Sequence, residues 1–131
     1  MRPIRILIVE DQAANRALLA AVFSRAEGVL RDVELTESAD LASARRALSV
    51  GDFAAVILDI RLPDGSGLDL IRELPDGAPA RPRPKVIVMS ASVLQADRDA
   101  AWTAGGDAFL AKPFRPAELT AELERLISAS G

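Results

Sequence analysis

Five polar residues stand at the ends of short aliphatic runs in this 131-residue chain: Glu10 and Asp11, Asp59, Ser90 and Lys112. If those runs are neighbouring strands, three carboxylates, a hydroxyl and an ammonium meet in one place. Carboxylates held close repel one another and raise each other's pKa. A hard divalent cation offsets that repulsion, and an oxygen-only ligand set favours Mg²⁺, with Mn²⁺ as a substitute, over Zn²⁺. The chain has no Cys and no His, so thiolate and imidazole sites are excluded. A cation alone leaves Lys112 and Ser90 unexplained. Beside a cation, an ammonium and a hydroxyl form a receptor for the oxygens of a phosphoryl group. Asp59 is then the natural nucleophile, because a carboxylate forms an acyl phosphate. Taken singly, each signal has an ordinary reading: Glu10-Asp11 as helix-capping acids, Asp59 as a strand end before a turn, Lys112-Pro113 as a surface turn. Their shared placement at strand ends points to one site.

The elements that must position these residues alternate regularly. Ile4 to Val9 predicts a first strand (β1), and residues 14 to 26, with Ala14, Leu18, Ala21 and Val22 at helical spacing, a first helix (α1). Val33 to Thr36 is a weak second strand (β2). Asp40 to Ser49 reads as a helix (α2), Ala54 to Leu58 as β3, and Gly67 to Leu74 as a short α3. Lys85 to Met89 is a strongly β-prone β4. Val93 to Ala104 is an Ala-rich α4 stopped by Gly105-Gly106, and Asp107 to Leu110 is a short β5. Pro116 suits a first helical turn, and Leu119, Leu123, Leu126 and Ile127 stripe the last helix (α5). Strands β1, β3 and β4 are apolar on both faces. This predicts an α/β fold, a (βα)5 doubly wound parallel sheet covered on both sides. In such a sheet, ligands bind outside the carboxyl ends of the strands. The one compositional break, Pro75 to Pro84, predicts an extended surface loop.

Composition limits the function classes. Half of the residues are hydrophobic and the net charge is −3 with no long basic run. That balance argues against direct nucleic-acid binding, which needs clustered Lys and Arg. The apolar run Ile6 to Val9 is too short for a signal-peptide core or a membrane span. The expectation is a cytoplasmic protein with no membrane partner. The turn EDQAAN lacks the glycines with which a nucleotide-binding fold approaches a pyrophosphate.

On these residues the chain resembles the receiver domain of two-component response regulators, over essentially its whole length (1–131, one receiver or phosphoacceptor domain). The matching pieces are ILIVEDQAAN, VILDIRLPDGSG, VIVMSAS and DAFLAKPF, with Gly67 as the glycine after the phosphoacceptor loop. The resemblance implies a flavodoxin-like sheet of order 2-1-3-4-5 and phosphorylation of Asp59. It implies Mg²⁺ bound by Asp11, Asp59 and the backbone carbonyl of Arg61, with Glu10 acting largely through water. It implies a cis Lys112-Pro113 peptide. It also implies a switch in which Ser90 moves toward the phosphoryl group, Phe109 rotates inward, and the α4–β5–α5 face is read by an output protein. The implied donor is a phosphohistidine on a histidine kinase or histidine phosphotransfer protein. Such a domain is a signalling phosphoacceptor and not an enzyme, although it assists its own phosphorylation and dephosphorylation.

Departures are few. Phe109 stands where a Tyr is common, and Arg61 and Ser92 occupy positions that set the phosphoryl lifetime in this family. Small Ala91 leaves room for the group to enter, and Trp102 is expected at least partly in solvent on the partner-reading surface. An aspartyl-phosphate phosphatase of the haloacid-dehalogenase kind needs a second Asp two residues after the nucleophile, where this chain has Arg61. The stop soon after α5 favours a stand-alone, chemotaxis-regulator-like protein over a module of a hybrid kinase or transcription factor.

Overall fold

Strands that are aliphatic at nearly every position must be covered on both faces, and the fold does this. The computed structural model describes residues 3–78, 81–91 and 94–129. Its central sheet has five parallel strands: β1 Arg5–Val9, β2 Glu34–Ser38, β3 Ala55–Asp59, β4 Lys85–Ser90 and β5 Ala108–Ala111. Their order is β2-β1-β3-β4-β5. The helices are α1 Ala13–Ser24, α2 Leu41–Val50, α3 Gly67–Glu73, α4 Gln95–Ala104 and α5 Pro116–Ala129. The doubly wound sheet and its order therefore stand as expected.

The period-2 alternation of a strand divides the core in two. Ile6, Ile8, Ile57, Ile87 and Met89 pack on one face with Leu19 and Phe23 of α1 and Leu119, Leu123 and Leu126 of α5. Leu7, Val9, Val56, Leu58, Val86 and Val88 pack on the other with α2, α3 and Ala101 of α4. Full burial of each Leu or Ile contributes roughly 1.5–3 kcal/mol. The predicted α5 stripe is the buried one. Among the described residues no helix is long and apolar enough to cross a membrane.

Three readings shift in detail. Strand β2 runs on to Ser38 because the ladder with β1 continues to Val9↔Ser38, so pairing overrides its weak local preference. Helix α1 stops at Ser24, where the Arg25 amide turns back to the Val22 carbonyl and the Ala26 amide to the Phe23 carbonyl. The Pro75–Pro84 segment is not wholly free of pairing: Gly77–Ala78 lies antiparallel to Arg81–Pro82. Its Arg83 is engaged within the molecule, donating to the Gly105 carbonyl at 3.2 Å. Gly105 ends α4 with φ +114, the left-handed value that favours glycine. The predicted start of α4 at Val93, and Ser92, lie outside the described residues.

Candidate phosphoryl and metal site

The carboxyl ends of the strands bring the chemistry together. Glu10 is the first residue beyond β1, and its amide donates to the Ser38 carbonyl at 2.9 Å, one step past the β1–β2 pairing. Asp59 is the last residue of β3. Lys112 is the first beyond β5, and its amide donates to the Ser90 carbonyl at 2.7 Å. From the edge of the sheet the Lys112 side chain reaches past the end of β4. Its Nζ lies 2.5 Å from Asp59 Oδ2 and 2.7 Å from Glu10 Oε1. The Lys112–Pro113 peptide is cis. Carboxylate oxygens of Glu10, Asp11 and Asp59 all lie within 4.8 Å of one another.

Burial and charge act against each other here. Glu10 is fully buried, which pushes its carboxyl up. Hydrogen bonds from Lys112, the Asp11 side chain and Asn15 outweigh that and hold it below the usual glutamate range. Asp11 is exposed, and the hydrogen bond and charge of Glu10 push its carboxyl up. Burial lowers the Lys112 ammonium, but its bonds to Asp59 and Glu10 hold it above the usual lysine range. One ammonium against three carboxylates leaves negative charge in excess. This donor set, oxygens only and too anionic for one lysine, fits a hard divalent cation.

The structure places the other predicted residues around this core. Ser90 ends β4, buried, in register with Ala111. The Arg61 amide donates to Asp59 Oδ1 at 3.1 Å, so its backbone lies against the acid cluster. A Cβ at Gly67 would sit 2.3 Å from the Asp59 carbonyl oxygen, so only glycine lets α3 start this close to β3. A cavity of about 560 Å³ opens beside the cluster, with Glu10, Asn15, Met89, Ala91, Lys112 and Phe114 among its walls. Ala91 thus lines an open approach. Phe109 lies on β5, two places before Ala111, half-buried, with the Arg98 guanidinium 5.1 Å from its ring centre. Trp102 is 51% exposed.

Sequence reasoning missed the residues that hold Glu10. Asn15 Nδ2 donates to Glu10 Oε1 at 2.8 Å, and Arg16 Nη1 donates to the Glu10 carbonyl at 2.7 Å. The available signal was their place in the first turns of the helix that follows the acid pair.

Comparison with known proteins agrees with this geometry. The family profile described as response regulator receiver domain matches residues 6–124. The probable transcriptional regulatory protein TcrX of Mycobacterium tuberculosis is 33% identical over 130 residues, 99% of this chain and 52% of that protein. The aerobic respiration control protein ArcA of Escherichia coli K12 is 34% identical over 128 residues, 98% of this chain and 50% of that protein. The chain thus spans about half the length of these curated relatives. Among solved structures, the receiver domain of the sensor histidine kinase PA1611 from Pseudomonas aeruginosa superimposes with a TM-score of 0.79 at 33% identity. That match covers 97% of this chain and 99% of the other, which carries a magnesium ion coordinated in its active-site cleft.

Proposed function

The chain belongs to the response regulator receiver family, and from that premise we propose that residues 1–131 act as one phosphoacceptor unit in which Asp59 takes a phosphoryl group from a phosphohistidine. The observation that carries this reading is the convergence of Glu10, Asp11, Asp59 and Lys112 at the carboxyl ends of β1, β3 and β5. Asp11, Asp59 and the backbone carbonyl of Arg61 would hold Mg²⁺ or Mn²⁺, with Glu10 contributing through water. The magnesium in the related PA1611 receiver supports that choice. When bound, the cation supplies charge neutralisation for the carboxylates and for the phosphoryl oxygens.

The remaining chemistry belongs to the chain. A carboxylate oxygen of Asp59 forms the new O–P bond in line with the breaking P–N bond, and the electron pair leaves with the imidazole nitrogen. Lys112 stays charged and gives an N–H to the phosphoryl oxygens. Ser90 offers its hydroxyl from the end of β4. Phosphorylation adds roughly −1.5 to −2 charge where carboxylates already crowd. Ser90 and Phe109 answer that charge by repacking, and the face formed by α4, β5 and α5 changes its fit to an output protein. The donor is a histidine kinase or a histidine phosphotransfer protein. The unit works in the cytoplasm and contacts neither nucleic acid nor membrane. It is a signalling phosphoacceptor, assisting its own phosphorylation and dephosphorylation, and not an enzyme acting on a separate substrate.

Two experiments test this reading. With a small acyl-phosphate donor, the protein should become labelled only when Mg²⁺ or Mn²⁺ is present, and the label should be lost to hydroxylamine. Asp59→Asn should abolish it; wild-type labelling of that variant would overturn the assignment. Trp102 is the only tryptophan, so its emission reports on α4. Beryllofluoride with Mg²⁺ should change that emission in the wild type and change it less in Ser90→Ala. An equal response in both proteins would remove Ser90 from the switch.

A further inference from the structure

Between Asp59 and α3 the chain makes a very small hairpin, with Arg61 opposite Ser66 and Leu62 opposite Gly65. Pairing this short does not sustain itself, so something else must fix it. Its base is fixed at α3, where the Gly67 amide donates to the Ile60 carbonyl at 2.6 Å and the Ser66 hydroxyl accepts from the Leu68 amide. Its tip is fixed to a different helix. Asp64 Oδ1 accepts from the Leu41 amide at 2.8 Å, and Oδ2 accepts from the Ala42 amide at 3.1 Å. These are the first two amides of α2, which have no partner within the helix. The helix's own cap, Asp40, takes a third, the Ser43 amide, at 2.8 Å.

The seat is close as well as hydrogen-bonded. A Cβ at Gly65, where φ is +146, would lie 2.8 Å from Leu41 Cδ1, so the hairpin presses on the residue whose amide Asp64 accepts. Helices α2 and α3 are themselves tied by Arg45 and Glu73, which form two hydrogen bonds of 2.8 and 2.7 Å. The hairpin therefore spans two elements of fixed spacing, with Arg61 between its anchors and the Arg61 amide on Asp59 Oδ1.

We propose that Asp64 is a positioning residue: by accepting both leading amides of α2 it fixes the hairpin tip and so holds the Arg61 backbone against the acid cluster. The inference rests on the cation reading above, in which the Arg61 carbonyl is a ligand. Asp64 touches neither the cation nor Asp59. It acts through the hairpin, as outer residues act on metal ligands elsewhere.

The test uses the whole chain and Mg²⁺ alone, titrated by calorimetry. Asp64→Ala should weaken Mg²⁺ binding about tenfold, the lower end of what losing a ligand's support costs. Asp64→Asn keeps one acceptor oxygen and should fall between. Asp40→Ala removes a cap from the same helix without touching the hairpin. It should lower stability in urea to a similar degree and leave Mg²⁺ affinity unchanged. Exchange of the Leu41 and Ala42 amides should quicken in Asp64→Ala and not in Asp40→Ala. Wild-type Mg²⁺ affinity in both Asp64 variants, or equal weakening by Asp40→Ala, would overturn the proposal. Failure of the wild type to bind Mg²⁺ would instead overturn the cation reading on which it rests.

Discussion

At the amino ends of the strands, Arg5 faces Glu34 at 3.8 Å and Arg83 faces Asp107 at 3.8 Å, so each of these arginines has one acid. At the carboxyl ends, the one Lys112 ammonium faces both Glu10 and Asp59, with Asp11 alongside. Both rims carry carboxylates and cations at strand ends, arginines at the amino rim and a lysine at the carboxyl rim. They differ in whether charge is balanced within the chain. A balanced rim needs nothing further to be stable, and its pairs, being partly exposed, each contribute little. The unbalanced rim costs stability unless something arrives, a divalent cation or a phosphoryl group carried with one. The surplus of carboxylate, more than any single residue, separates the functional end of the sheet from the structural one.

Removing the Lys112 ammonium from the crowded rim should break the comparison most severely. Lys112→Ala leaves buried Glu10 without its cation, and loss of one partner of a buried pair costs about 3 kcal/mol. Urea unfolding in the absence of metal should show that loss, and added Mg²⁺ should recover part of it. Phosphorylation from an acyl-phosphate donor should become undetectable on the wild-type time scale. Unchanged stability in Lys112→Ala would mean that the carboxylates do not depend on the lysine.

The amino rim should respond more mildly and without functional consequence. Asp107 accepts from the Val86 amide at 2.8 Å, beside Arg83. Asp107→Ala should cost about 1 kcal/mol, the worth of one such hydrogen bond, because Arg83 keeps the Gly105 carbonyl. Mg²⁺ affinity and labelling of Asp59 should match the wild type. A fall in either would show that the rims are coupled through the sheet.

Much of this contrast is legible in the sequence, and the part that is not has a physical reason. Strands β1, β3 and β4 are legible because double-sided burial makes them nearly continuous aliphatic runs; Glu10, Asp59 and Ser90 are legible because they end those runs, and Lys112 because it follows the short apolar run of β5. Strand β2 extends beyond its local signal because backbone pairing with β1, not side-chain preference, carries it to Ser38. Asn15 and Arg16 were hidden because their role depends on how α1 leans over Glu10. Asp64 sits in a turn whose residues have ordinary turn chemistry. Nothing local reveals that it caps a helix 23 residues earlier. Arg83 falls in the Pro75 to Pro84 segment, which reads as a surface loop, and only the packing of α4 against the sheet brings the Gly105 carbonyl to it.

The smallest expected effect is also the sharpest, because its sign reverses on adding metal. The Glu10 hydrogen bond and charge hold the Asp11 carboxyl above the ordinary aspartate range. An acid whose folded pKa is raised costs stability while it is charged, and that cost fades as pH falls through the raised value. Glu10 runs the other way. Its lowered carboxyl contributes stability above the ordinary glutamate range, lost only as pH falls below that range. Metal-free Asp11→Asn should therefore be slightly more stable than the wild type at neutral pH. The gain should be about 0.5 kcal/mol or less, since Asp11 is exposed and its repulsion is screened. That gain should vanish in mild acid, where the wild-type Asp11 takes a proton while Glu10 is still charged. With Mg²⁺ the order should invert, because the wild type gains binding free energy by mass action and Asp11→Asn loses a ligand. Thermal unfolding of both proteins, at neutral and mildly acidic pH, with and without Mg²⁺, reads all of these terms. A metal-free Asp11→Asn less stable than the wild type at neutral pH would show that the carboxyl rim is balanced after all, and that the difference between the two rims is not one of charge.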